Sequence, residues 1–128
     1  MDPVSLALFI AGFVAAEGTF VVSRLPTKKA FTFATALGAT DSGTCELLHA
    51  FFGCGSIVRS YRRQAHFDDE VRFQVRRRAD LVTRIVPFMD QHLPPSYKRQ
   101  QYETWRTELL EYDELPHRPG GRPKPRSP

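Results

Sequence analysis

Ile10-Ala11-Gly12-Phe13-Val14-Ala15-Ala16-Glu17-Gly18-Thr19-Phe20 changes character part-way along, and that change organises the rest of the chain. Its first part continues a run of small and apolar residues that begins at Ser5 and ends at Ala16. Asp2-Pro3 upstream is a helix start, because proline's missing N–H costs nothing in the first turn. Gly18 closes the helix, and Thr19 to Ser23 is rich in the β-branched and aromatic residues that favour strands. One acid, Glu17, stands at the junction.

Working outward, Leu25-Pro26-Thr27-Lys28-Lys29 is a turn, and Phe31 to Leu37 alternates in strand fashion. Phe31, Phe33, Thr35 and Leu37 share one face, with Phe31 and Phe33 read as core; Thr32, Ala34 and Ala36 share the other. A second helix is expected over Gly43 to Phe52, with Leu47, Leu48, Phe51 and Phe52 as its buried stripe and Gly53-Cys54-Gly55 as its stop. A second hairpin follows, Ser56 to Tyr61 and Val71 to Arg76, in which Val71, Phe73 and Val75 face inward and Arg72, Gln74 and Arg76 outward. A third helix is expected over Ala79 to Asp90, kinked or ended early by Pro87, and a fourth over Ser96 to Tyr112. Beyond Leu115 the Pro, Gly and Arg-rich segment cannot bury enough apolar surface to order itself. The expected organisation is one domain, residues 1–115, and a disordered basic tail, residues 116–128.

The bulk properties constrain function less than their distribution does. The 128 residues carry a formal net charge of +4, but four cations (Arg118, Arg122, Lys124, Arg126) lie in the tail, which has no acid. Without them the cations number 14 against 14 acids, so charge alone does not point to nucleic acid. Clustering does: Ser56 to Arg78 holds seven arginines (Arg59, Arg62, Arg63, Arg72, Arg76, Arg77 and Arg78) against Asp68, Asp69 and Glu70. Two cysteines, Cys45 and Cys54, make no disulfide framework and suit a reducing, cytoplasmic setting. With His49 they also fail as a zinc site, offering three ligands at irregular spacing. The run Val4 to Ala16 has the look of a signal-peptide core, yet Asp2 and the lack of a preceding Lys or Arg argue against it. It is also too short to span a bilayer. No P-loop, dinucleotide-binding glycine pattern or Ser-His-Asp arrangement is visible.

Three blocks carry a resemblance. The opening segment resembles the signature of the LAGLIDADG homing endonucleases: apolar-Ala-Gly-aromatic, two spaced acids, a Gly, a small hydroxyl residue and a hydrophobic strand. Leu47-Leu48 through Phe51-Phe52-Gly53-Cys54-Gly55-Ser56-Ile57 resembles that family's helix and its turn into the second hairpin. Ile85-Val86-Pro87-Phe88-Met89-Asp90, then Tyr97-Lys98-Arg99, then Tyr102 and Trp105, resembles its closing pattern. The fold implied is α+β: a single αββαββα module whose four-stranded antiparallel saddle sheet packs under helices.

The resemblance implies a homodimeric, Mg2+-dependent endonuclease acting on double-stranded DNA, with no membrane association and, in a bacterial cell, a place at the nucleoid. It assigns Glu17 as the metal carboxylate, the Ala16 carbonyl as a second metal ligand, and Lys98 as a catalytic lysine near phosphate and attacking water. A helix C-terminus suits a metal because its carbonyls are unpaired and carry partial negative charge. Ala11, Gly12 and Ala15 would let two first helices approach closely. The sheet would enter the major groove, with Val21, Ser23, Arg72, Gln74 and Arg76 on the reading face, and Ser56, Val58 and Ser60 beside them. Lys28, Lys29, Arg62 and Arg63, in the hairpin turns, would reach phosphates.

Two departures from the family pattern keep a second reading open. The signature's first acid is Ala15, and the polar residue that many active members carry after the second strand is replaced by Gly38-Ala39. A catalytically degenerate relative, an intron maturase or DNA-binding regulator, would retain the fold and nucleic-acid binding without cleavage.

Overall fold

The structure is a computed structural model that describes residues 1–38, 41–60 and 69–116. Helix α1 (Pro3–Glu17) is capped by Asp2, whose carboxylate accepts from the Ser5 N–H at 2.9 Å. It runs directly into β1 (Gly18–Arg24), which pairs antiparallel with β2 (Lys29–Gly38). Helix α2 (Ser42–Phe52) ends at Gly53, whose φ of 69° is the left-handed cap that glycine adopts without a side-chain clash. Strands β3 (Ser56–Ser60) and β4 (Glu70–Val75) form the second hairpin, and β4 pairs with β2. The sheet order is therefore β1-β2-β4-β3, all antiparallel, with β2 and β4 at its centre.

The remaining helical chain is α3 (Arg78–Asp80), a π-helical turn (Leu81–Ile85), α4 (Val86–His92) and α5 (Tyr97–Glu114). Pro87 does not end the third helical stretch, contrary to one of the two outcomes expected of it. Proline has no N–H for the carbonyl one turn back, and the chain absorbs this by widening just ahead of it. The Val86 N–H reaches back to the Leu81 carbonyl, a π-type bond, and the helix continues to His92.

Every helix lies on one side of the sheet. Phe31, Phe33, Val71, Phe73 and Val75 from the strands meet Ile10 and Val14 of α1, Leu48 and Phe52 of α2, and Tyr102, Trp105 and Leu109 of α5 in one apolar core. The strand residues alternate as the sequence requires, so Phe31 and Phe33 are buried. Trp105 pins α5 to β1: its indole N–H donates to the Val21 carbonyl at 3.1 Å and its ring lies 5.1 Å from that of Phe20. Cys45 is buried and Cys54 half-buried, both free thiols. No described helix is long and apolar enough to cross a membrane.

Candidate functional site

The junction of α1 and β1 is built tightly. Gly18 is buried, and a Cβ there would lie 2.7 Å from Val14 Cγ1 and 2.8 Å from the Val14 carbonyl oxygen, so only glycine fits. The Gly18 N–H in turn donates to that Val14 carbonyl. The helix therefore stops one residue after Ala16 and leaves the Ala16 carbonyl without a helical donor. Glu17, the last helical residue, is exposed, and its carboxylate makes no hydrogen bond or ion pair among the described residues.

The fold brings Lys98 to this same junction from eighty residues away in sequence: its ammonium donates to the Gly18 carbonyl. Lys98 occupies the first turn of α5, where Ser96 caps the helix by accepting from the Arg99 N–H at 3.1 Å. Arg99 fixes that corner by donating to the carbonyls of Met89, Leu93 and Asp90. The junction thus gathers one free carboxylate, one helix-end carbonyl and one ammonium. No cluster of three or more His, Cys, Asp or Glu side chains suited to a metal occurs among the described residues.

Helix α1 buries Ala7, Ile10, Ala11 and Val14 against its own chain. The helix phase corrects one expectation: Ala11, read from sequence as meeting a second copy, is only 2% exposed and belongs to the chain's own core. Gly12 is exposed and Ala15 half-buried. The bare face consists of Val4, Leu8, Phe9, Gly12 and Ala16, with Val4 69%, Leu8 60% and Phe9 44% exposed. Such a face on one helix is more apolar than solvent ordinarily meets.

The sheet's other face carries no described helix. Directly paired residues in an antiparallel sheet share a face. The register sets Thr19, Ala34, Gln74 and Ser56 in one row across all four strands, Ala36, Arg72 and Val58 in the next, and pairs Val21 with Thr32 and Ser23 with Ala30. Val21, Ser23, Arg72, Ser56, Val58 and Ser60 are exposed. Arg76, also exposed, lies just past the end of β4. Alternation predicts both the long side chains of this face and the Ala34 and Ala36 side of β2; the pairing adds that these alanines stand beside Gln74 and Arg72 and that Thr19 joins their row.

The basic residues divide into two groups. Arg24 and Lys29 pair with each other across the first hairpin and turn towards the helices, where Glu108 of α5 accepts from both; Lys29 Nζ lies 2.9 Å from its carboxylate. Lys29, expected to reach phosphate, therefore already holds a carboxylate on the helix side, whereas Lys28 is exposed in the turn. These partners hold the Glu108 carboxyl down to about 2, Arg24 contributing most. Arg77 pairs with Asp80, Arg78 with Asp113, Arg106 with Asp90, and Arg84 donates to the Phe52 carbonyl. Arg72 and Arg76 hold no such partner among the described residues. Arg62, Arg63, Ala39 and residues 117–128 lie outside the described residues.

The family model described as LAGLIDADG endonuclease matches residues 10–109. No curated protein matches. Among solved structures, the homing endonuclease I-TnaI superposes with a TM-score of 0.71 at 26% identity, over 84% of this chain and 73% of that one. The LAGLIDADG homing endonuclease I-GzeII, in complex with its DNA target, superposes at 0.72 and 22% identity, over 82% of this chain and 35% of that one. The meganuclease I-SmaMI, bound to uncleavable DNA, superposes at 0.67 and 22% identity, over 81% and 36%. The chain therefore spans about a third of the length of the latter two. With the signature helix, the order of strands and the family match all coinciding over the same residues, the chain belongs to the LAGLIDADG endonuclease family.

Proposed function

We propose that two copies of this chain pair along α1 and act as a Mg2+-dependent, site-specific endonuclease on double-stranded DNA. The observation that carries the reading is that one helix presents both a bare apolar stripe and, at its end, a carboxylate with no partner among the described residues. Pairing along Val4, Leu8, Phe9, Gly12 and Ala16 covers the stripe, with Gly12 and Ala15 permitting close approach, and places the two copies of Glu17 near each other.

The donor set suits Mg2+, which binds one or two carboxylates, keeps several waters and accepts substrate phosphate oxygens. Glu17 and the Ala16 carbonyl are the protein groups that would hold it. When bound, it supplies charge neutralisation at the phosphate and activation of water. Lys98 contributes a fixed positive charge one residue from Glu17, suited to the extra negative charge that accumulates on phosphorus oxygens during hydrolysis. The open sheet face contributes Val21, Ser23, Arg72 and Gln74 to the groove. Arg76, which lies past the end of β4, and Lys28 engage phosphates, while Arg62 and Arg63, assigned the same role from sequence, lie outside the described residues.

Ala15 in place of the signature's first acid, and Gly38-Ala39 after β2, favour a second reading: a DNA-binding or maturase protein that no longer cuts. Purified chain is incubated with Mg2+ and plasmid DNA carrying the sequences that flank its own gene, beside Glu17→Gln. The endonuclease reading expects double-strand breaks from the native chain, and binding without cleavage from the variant. Equal cleavage by both removes Glu17 from the chemistry. Salt-sensitive binding without cleavage by the native chain establishes the second reading.

A further inference from the structure

We infer that, among the described residues, β4 carries base discrimination, with Arg72 reading guanine and Gln74 reading adenine about two base-pair steps apart. The inference rests on the DNA-binding reading above and specifies what that surface selects.

Three observations carry it. The side chains of Arg72 and Gln74 make no hydrogen bond or ion pair among the described residues, whereas Arg24, Arg78, Arg84 and Arg106 on the helix side are each held by a carboxylate or a carbonyl. The two side chains also stand over short neighbours. The register sets Arg72 between Ala36 and Val58, and Gln74 between Ala34 and Ser56, so the directly paired residues on the neighbouring strands are short, and along β4 Glu70 is the next residue on this face beside Arg72. Finally, the other strands lack reach. On this face β2 presents Ala30, Thr32, Ala34 and Ala36, β1 presents Thr19, Val21 and Ser23, and β3 presents Ser56, Val58 and Ser60. None of these has the forked donor–acceptor geometry that separates one base pair from another.

The chemistry and the spacing then specify a pattern. A guanidinium donates in bidentate fashion to guanine O6 and N7, and a carboxamide pairs with adenine N6 and N7. Residues two apart on a strand are separated by roughly 6.7 Å. A strand running along the groove therefore spans about two steps of a duplex that rises 3.4 Å per base pair on each strand. Each half-site should carry a guanine and an adenine, on either strand, with one base pair between them. The alanine floor of β2 allows the backbone to lie close to the groove, which these two side chains need in order to reach base edges.

The test is selection from a randomised duplex library by the native full-length chain without Mg2+, in parallel with Arg72→Lys, Arg72→Ala and Gln74→Glu. All three substitutions are on the open face, and thermal melting checks that each variant is folded. The native chain is expected to enrich two positions separated by one. Arg72→Ala loses the guanine preference by about 5- to 150-fold and leaves the other position unchanged, whereas Arg72→Lys keeps a guanine preference, because an ammonium also donates to guanine O6 and N7. Gln74→Glu converts the adenine preference to cytosine, because a carboxylate accepts from cytosine N4. Native-like preferences in folded Arg72→Ala and Gln74→Glu overturn this inference and leave the DNA-binding reading in place. Failure of the native chain to retain any duplex overturns both.

Discussion

Substituting Gly18 by alanine tests the α1–β1 junction, because the structure states what the added methyl would meet. The new Cβ would sit 2.7 Å from Val14 Cγ1 and 2.8 Å from the Val14 oxygen. The side-chain contact can be relieved by rotating Val14, although that valine is itself fully buried. The carbonyl contact cannot, because the same oxygen accepts the Gly18 N–H and both belong to the final turn. The junction must therefore open by several tenths of an ångström. Overpacking of this kind costs about 1–3 kcal/mol. For a domain of this size that corresponds to a melting temperature lower by about 4–12 °C. The displacement acts on Glu17, Gly18 and the Lys98 contact together, so cleavage should fall further than stability does. A reacting group misplaced by about 1 Å costs on the order of 100-fold in rate. Thermal unfolding, duplex binding and cleavage measured on one preparation separate these effects. An alanine variant with native melting temperature and native cleavage would refute the claim that this junction positions the site.

Further expectations follow from other parts of the fold. Gly55→Ala should destabilise still more than Gly18→Ala, since Gly55 has a φ of +88° and its Cβ would meet the Gln74 carbonyl at 2.6 Å; a native melting curve would count against the described β3–β4 pairing. Leu109→Ala, at a fully buried position of α5, should cost about 2–5 kcal/mol in urea unfolding. The Glu108 carboxyl is depressed when folded, so its contribution to stability is present above pH 4.5 and is lost as pH falls towards about 2. Glu108→Gln should therefore melt a few degrees lower than the native chain above pH 5, with the gap closing in acid; a gap independent of pH would place the Glu108 effect elsewhere. Leu8→Glu, on the bare face of α1, should give a folded monomer by light scattering, and a persistent dimer would move the pairing surface off this helix.

Much of this architecture is legible in the sequence because its elements announce themselves by period. The Phe31-to-Leu37 and Val71-to-Val75 alternations, the glycines at 53 and 55, and the apolar run ending at Glu17 each specify an element and its face. What sequence misses is phase and partnership. Ala11 and Gly12 are both small, and only the packing of Ile10 and Val14 decides that Ala11 faces the core. Lys29 looks like any turn lysine until β2 turns it towards α5, where Glu108, remote in sequence, holds it. Pro87 reads locally as a helix breaker, whereas the chain accommodates it with one wide turn. Arg72 and Gln74 are recognisable by alternation, yet their isolation over alanines depends on a strand register that no local pattern specifies.

The claim most exposed to direct measurement is that two copies meet along α1. Gly12 has open space where a Cβ would go, so Gly12→Cys should fold, and Cys54→Ser removes the half-buried native thiol from competition. Under mild oxidation this variant should cross-link to a covalent dimer through residue 12, and that dimer should bind duplex DNA at least as well as the native chain. A chain that stays monomeric at every concentration tested, or a cross-linked dimer that has lost duplex binding, would contradict the account.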